Sequence, residues 1–317
     1  MNYFKNVVGQ NSIKKRLGFY IDAYNSTSIF PNTIFIAPKG CGKTLMARET
    51  GRNLFSSETL KPKKFIEINC ATLKNTKQFV NQVVHPHMRD REATLLFDEA
   101  SEIPRDLSMA LLTILNPNPT NKTEFVFDDF VYEFDFKRHT FFFATTESQS
   151  VFHALMDRIN RIELEEYSLS DLSQIILLST DGFKIENDTL GEVASILRGN
   201  ARAAQKISGD IITYLKKEHK NTFSLNDWNI LKDLLGINPL GLSQIELRIL
   251  KILSQRSPNE ERGFSLTQLS SMTDMTRSSL QQDIEKYLLR YMLMEITTGG
   301  RKITQRGLDY LNKLPKS

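Results

Sequence analysis

Apolar residues fall along this chain in two rhythms. In the first half, short unbroken apolar runs alternate with stretches whose apolar positions recur every three or four residues. Residues 33–37, 65–69, 94–97 and 140–144 read as four strands, and 45–54 and 107–115 as helices among them. Strands alternating with helices predict a parallel sheet covered on both faces. Between Glu124 and Phe136 the pattern changes to crowded aromatic and β-branched residues centred on Asp128 and Asp129. That stretch, 124–136, predicts a hairpin projecting ahead of the fourth strand.

From Ser168 onward the rhythm is helical. Ser170 offers a cap for a first helix, and 190–197, 201–215 and 226–234 continue the pattern. The turn-rich stretch from Gly236 to Gly241 breaks it and marks a domain boundary. Three more helices follow at 244–254, 265–272 and 276–290. Two short strands, 293–297 and 301–304, then flank Thr298, Gly299 and Gly300. Three helices and a glycine-tipped hairpin are the plan of a winged helix. The expected organisation is an α/β domain over 1–166, a helical domain over 167–236 and a winged helix over 237–317.

Composition narrows this picture. At 40% apolar and 25% charged residues, the chain is an ordinary globular one, and 317 residues are too many for a single core. No apolar stretch approaches eighteen residues, and Met1 to Gln10 lacks a signal-peptide core, so a cytoplasmic protein without membrane contact is expected. Cys41 and Cys70 stand alone, and His85 and His87 have no third ligand beside them, so no zinc site is expected. The net charge of +4 sits entirely in residues 237–317, which hold 12 Lys/Arg against 8 Asp/Glu. A local basic bias fits nucleic-acid contact; a solvated face is the plainer alternative.

The chemistry is concentrated in two short segments. Ala37, Pro38, Lys39, Gly40, Cys41, Gly42, Lys43 and Thr44 match the P-loop pattern except at the first position, with a strand before and a helix after. Gly40 and Gly42 let backbone N–H groups curl round phosphate oxygens, and the helix that follows directs its positive end at them. Lys43 would neutralise phosphate charge, and the Thr44 hydroxyl would hold Mg²⁺. An apolar strand ends in Asp98 and Glu99, 55 residues after Lys43. Asp98 is placed to share the metal with Thr44, and Glu99 to activate the attacking water. The two signals together predict ATP binding and hydrolysis.

With these residues in order, the chain resembles the AAA+ ATPases. The resemblance implies that Thr145 or Thr146 helps position the water. It implies that Arg158 serves as an arginine finger toward a neighbouring subunit and that Arg202, in the stretch from Arg198 to Arg202, contacts the γ-phosphate. It also places Val8, Leu45 and Tyr167 beside the nucleotide. Over nearly its whole length the chain is similar to the RuvB family of Holliday-junction branch-migration motors. That similarity implies a ring of six subunits on double-stranded DNA. Arg277, Arg301 and Lys302 would meet the DNA backbone, and the 124–136 hairpin would dock a RuvA-like partner. Ala37, Lys39 and Glu147 depart from the family pattern. So does the hairpin tip, where Asp128 and Asp129 would oppose docking into an apolar groove.

Two other functions fit the same residues. A loader or remodeller would spend the same hydrolysis on another DNA-processing protein, and would not move a junction by itself. An ATP-switched winged-helix regulator would bind sequence-specifically without turnover, and would have no use for Glu99.

Overall fold

The computed structural model describes residues 3–116, 118–258 and 260–314; the outer ends of the first and last expected domains, at Met1 and Ser317, lie outside them. The chain forms two compact units, Met1–Leu225 and Asn226–Ser317. In the first, α1 (Asn11–Thr27) leads to β1 (Thr33–Ile36), a loop and α2 (Lys43–Gly51). Next come β2 (Lys64–Asn69), a helix α3 over 76–87 with a wider turn at Val80–Val84, β3 (Ala93–Asp98) and α4 (Arg105–Ile114). A hairpin of β4 (Lys122–Phe127) and β5 (Phe130–Asp135) precedes β6 (His139–Thr145), α5 (His153–Met156) and β7 (Asn160–Glu163).

The sheet order is β2-β3-β6-β1-β7, and all neighbours are parallel. Alternation along the strands sorts its side chains between two cores. Ile34, Leu95, Phe97, Phe141 and Phe143 face α3, α4 and the hairpin. Phe35, Leu96, Phe142 and Ala144 face α1 and α2. Rings interlock on both sides: Phe97 stacks on Phe143 at 5.0 Å, and Phe142 meets Phe30 and Phe35 edge-on at 5.5 and 5.6 Å. Truncating one such ring costs about 3–5 kcal/mol. The four expected strands are present. The fifth, β7, has a single buried side chain, Ile162, and so leaves no apolar run to read.

The expected hairpin is also present. Phe127 pairs with Phe130 around the turn at Asp128 and Asp129. Its inner face buries Thr123, Tyr132 and Phe134, while Val126 and Val131 pair on the exposed face.

The helical layer of this unit contains α6 (Leu169–Ser179), a short strand β8 (Lys184–Ile185), α7 (Asn187–Ser195), α8 (Ala201–Lys217) and β9 (Thr222–Phe223), which pairs with β8. Sequence reading starts α6 near Ser170. The structure corrects this: Ser168 is the cap, because its hydroxyl and the Asp171 carboxylate bond reciprocally across the first turn.

At the boundary lies α9 (Leu225–Leu234). The second unit continues with α10 (Gln244–Leu253), α11 (Leu266–Thr273), a helix α12 over 277–290, β10 (Met294–Thr297), β11 (Gly300–Ile303) and α13 (Gln305–Lys313). Leu250, Leu269, Leu280, Leu288 and Ile303 share its core. The predicted three helices and wing are in place, with α13 added behind them.

Candidate nucleotide site

The loop over 37–42 leaves the carboxyl end of β1, where parallel α/β sheets bind ligands. Gly40 and Gly42 hold left-handed conformations, φ 79° and 85°. Both also sit where a side chain has no room. A Cβ on Gly42 would come 2.9 Å from the Tyr167 hydroxyl, and one on Gly40 would come 2.0 Å from Asn200 Oδ1. Lys43 opens α2 and is buried. Its Nζ donates to the carbonyls of Ala37 (2.9 Å) and Pro38 (3.2 Å). Burial pulls the ammonium below its ordinary pKa, while the carboxylates of Glu99 and Asp98 act to keep it charged.

Two strands away, β3 ends at Asp98. The Thr44 hydroxyl donates to Asp98 Oδ2 at 3.1 Å, so the two expected metal-holding groups converge. They form an all-oxygen donor set, the type that suits a hard cation such as Mg²⁺. Asp98 Oδ1 accepts the Glu99 N–H at 3.1 Å. Glu99 itself lies at φ 56°, a left-handed conformation that costs a non-glycine residue about 1–2 kcal/mol. Strain of this kind gathers at functional sites.

These groups border a cavity of about 600 Å³, within the range of nucleotide-sized ligand sites. Of the expected residues, Lys39, Gly40, Gly42, Lys43, Thr44 and Leu45 line it from the loop and α2. Asp98 and Glu99 line it from β3, Val8 from the N-terminal segment, and Tyr167 and Arg202 from the helical layer. Burial raises the Tyr167 phenol to about 12, so it remains a hydrogen-bond donor. Val8 is held in place through Gln10. That side chain donates to the Glu165 carbonyl at 2.6 Å and accepts the Glu165 N–H at 3.2 Å.

The lining does not include Pro38, Cys41, Thr145 or Arg158. Cys41 is turned away, with its thiol toward the Gly199 carbonyl at 3.8 Å, and burial raises its pKa. Thr145 is fully buried at the end of β6, where its hydroxyl accepts the Glu147 N–H at 3.0 Å. Arg158 donates to the Ala154 carbonyl at 2.7 Å. Sequence reading overlooks a wall of the cavity: Ile175, Leu178 and Ser179 of α6, with Asn6, Arg48 and Gln205. Ile175 and Leu178 belong to a leucine-rich helix whose pattern does not distinguish a core face from a cavity face.

In the second unit, Arg277 is exposed in the first turn of α12, and Lys302 lies on β11 opposite Glu295. Arg301 departs from expectation. Its guanidinium forks onto Glu285 of α12, with Nε to Oε1 at 2.8 Å and Nη2 to Oε2 at 3.2 Å. Its side chain is only 15% exposed. The fork is already engaged inside the fold, so Arg301 is withdrawn from the set of DNA-contacting candidates.

Comparison with known proteins finds a separate match for each of two regions of the chain. Residues 33–169 match the family described as ATPase family associated with various cellular activities (AAA), and 239–312 match the RuvB C-terminal winged helix domain. Relatives named Holliday junction branch migration complex subunit RuvB include one from Campylobacter hominis, 24% identical over 97% of this chain and 88% of its own length. Another, from Prochlorococcus marinus, is 26% identical over 98% and 85%. The structure of the Thermotoga maritima RuvB Holliday junction branch migration motor superposes with a TM-score of 0.77 at 20% identity, covering 97% of this chain and 96% of that one. That likeness shows the shared fold. The chain thus joins an AAA ATPase domain to a winged helix of the RuvB type in one polypeptide, and along nearly its whole length it is similar, though distantly, to RuvB proteins.

Proposed function

We propose that this protein hydrolyses ATP to translocate on double-stranded DNA as a ring of six, driving branch migration of four-way junctions. The observation that carries the reading is the convergence of Lys43, Thr44, Asp98 and Glu99 on one cavity, in a chain that also bears a RuvB-type winged helix. The relatives' naming as branch-migration subunits supports the choice of substrate.

Each residue then has a task. Lys43 and the N–H groups of the loop hold the phosphates. Thr44 and Asp98 would hold Mg²⁺, which would supply charge neutralisation on the phosphate oxygens. Glu99 orients the attacking water and takes up its proton. Arg202 reaches from the helical layer, which acts as a lid, toward the γ-phosphate. Arg158, outside its own chain's cavity, completes the site of a neighbouring subunit. Thr145 secures the end of β6 beside the site. Arg277 and Lys302 track DNA phosphates, contacts that ignore sequence and so suit a translocating motor. The outer face of the hairpin, with Val126 and Val131 exposed beside Asp128 and Asp129, is assigned to a RuvA-like partner. A groove that receives it must answer the two carboxylates with positive charge.

The test is ATP-dependent migration of a synthetic four-way junction by the purified protein, with Glu99→Gln alongside. Conversion to duplex products that disappears in the variant is the expected result. Turnover without junction movement, even with added RuvA, would shift the assignment to a loader acting on another protein.

A further inference from the structure

The loop that would carry the phosphates is bonded on its other side to the helical lid. The Gly40 carbonyl accepts two N–H groups from the first turn of α8, Ala201 at 3.1 Å and Arg202 at 3.3 Å. These are N–H groups that an α-helix leaves without partners of its own. Asn200 organises the contact from both ends of its amide. Its Oδ1 caps α8 by accepting the Ala203 N–H at 3.0 Å, and its Nδ2 donates to the Lys39 carbonyl at 3.3 Å. Gly40 has no Cβ, and the room this leaves is filled by the Asn200 amide. Two residues after Asn200, in the first turn of α8, is Arg202, which lines the cavity.

We infer that Asn200 is a positioning residue that latches the lid to the phosphate-binding loop, setting how long nucleotide is held and where Arg202 points. The inference rests on the nucleotide-binding reading of this cavity. The physical case is one of shared groups. Gly40 and Lys39 present their carbonyls to the lid, so a lid that swings away must break three hydrogen bonds to two successive residues of the loop. A bound nucleotide is then released together with the latch. A serine at 200 would keep an oxygen for capping α8, since Ser and Asn cap about equally well. It would have no amide to reach Lys39. That separates the latch from helix stability.

The experiment compares Asn200→Ser with the natural chain by stopped-flow release of a fluorescent ADP, thermal melting, and amide hydrogen exchange of the nucleotide-free protein over 199–203. The expected result is melting lowered by only about 2–4 °C, ADP release faster by about fivefold, the factor for one neutral hydrogen bond, and faster exchange at Ala201 and Arg202. Release and exchange both at the natural rate would overturn the latch. If the natural chain fails to bind ADP at all, the nucleotide reading falls, and the exchange comparison alone still decides whether Asn200 holds the lid to the loop.

Discussion

Glu285 is 5% exposed, and both its oxygens are taken by Arg301. Removing only the arginine strands a buried carboxylate, which costs about 3–5 kcal/mol; replacing both partners with apolar residues costs far less. Denaturant unfolding should therefore show Arg301→Ala strongly destabilised and the double variant Arg301→Met, Glu285→Met close to the natural chain. Equal losses in the two would mean that the pair is not the source of the effect. The contrast with the nucleotide site shows what single residues reveal in a sequence. Lys43, Thr44, Asp98 and Glu99 carry their chemistry in local patterns, each with an apolar strand that says where it sits. The partner of Arg301 is 16 residues away and reaches it only once the wing folds against α12. Asn200 is similar: its spacing suggests a cap, while its hold on Lys39 spans 161 residues.

Among the elements, those built from apolar runs were readable. The first four strands of the parallel sheet, the hairpin and the wing lie within a residue or two of their expected places. Helix α1 is amphipathic, burying Ile13, Leu17, Ile21 and Tyr24, yet no cap marks its start: Gln10 precedes it in a left-handed conformation. The seam between the hairpin and α3 makes its own prediction. His139 begins β6 with its ring buried, its Nε2–H donating to the carbonyls of Met88 (3.2 Å) and Arg91 (3.1 Å), and Phe134 edge-on at 6.0 Å. Burial lowers its pKa, with the charges of Arg138 and Lys63 acting in the same direction against the two carbonyls. The unfolded chain therefore takes up this proton first as pH falls. The stability contributed by the neutral ring is present above the unfolded value, about 6.5, and is lost as pH drops toward the lower folded value. Melting temperature should fall between pH 7.5 and 5.5 in the natural chain, and fall less in His139→Gln. Parallel declines would assign the acid sensitivity elsewhere.

For the whole molecule, the charge count points to a region and leaves the choice of residues to the fold. The excess of Lys and Arg over 237–317 says that this unit is the basic one, and the fold then removes Arg301 from those free to meet a phosphate. Binding to duplex DNA, followed by fluorescence anisotropy across a salt series, should show the logarithmic slope reduced by about two in Arg277→Ala, Lys302→Ala together. The double variant Arg301→Met, Glu285→Met, which keeps the fold, should leave the slope unchanged. An unaltered slope in the double variant would place the DNA elsewhere on the chain. The register of β7 carries a consequence for assembly. Its first residue, Asn160, pairs with Thr33 at the start of β1, so Arg158 stands at the edge of the sheet opposite the loop that follows Ile36. If the nucleotide is held at one edge and the arginine that completes a neighbour's site is offered from the other, each chain has a head and a tail. Copies joined head to tail in an open row would always leave one nucleotide without its arginine at the end. Only closure leaves none unserved, which gives such a chain a chemical reason, beyond encircling DNA, to be a ring.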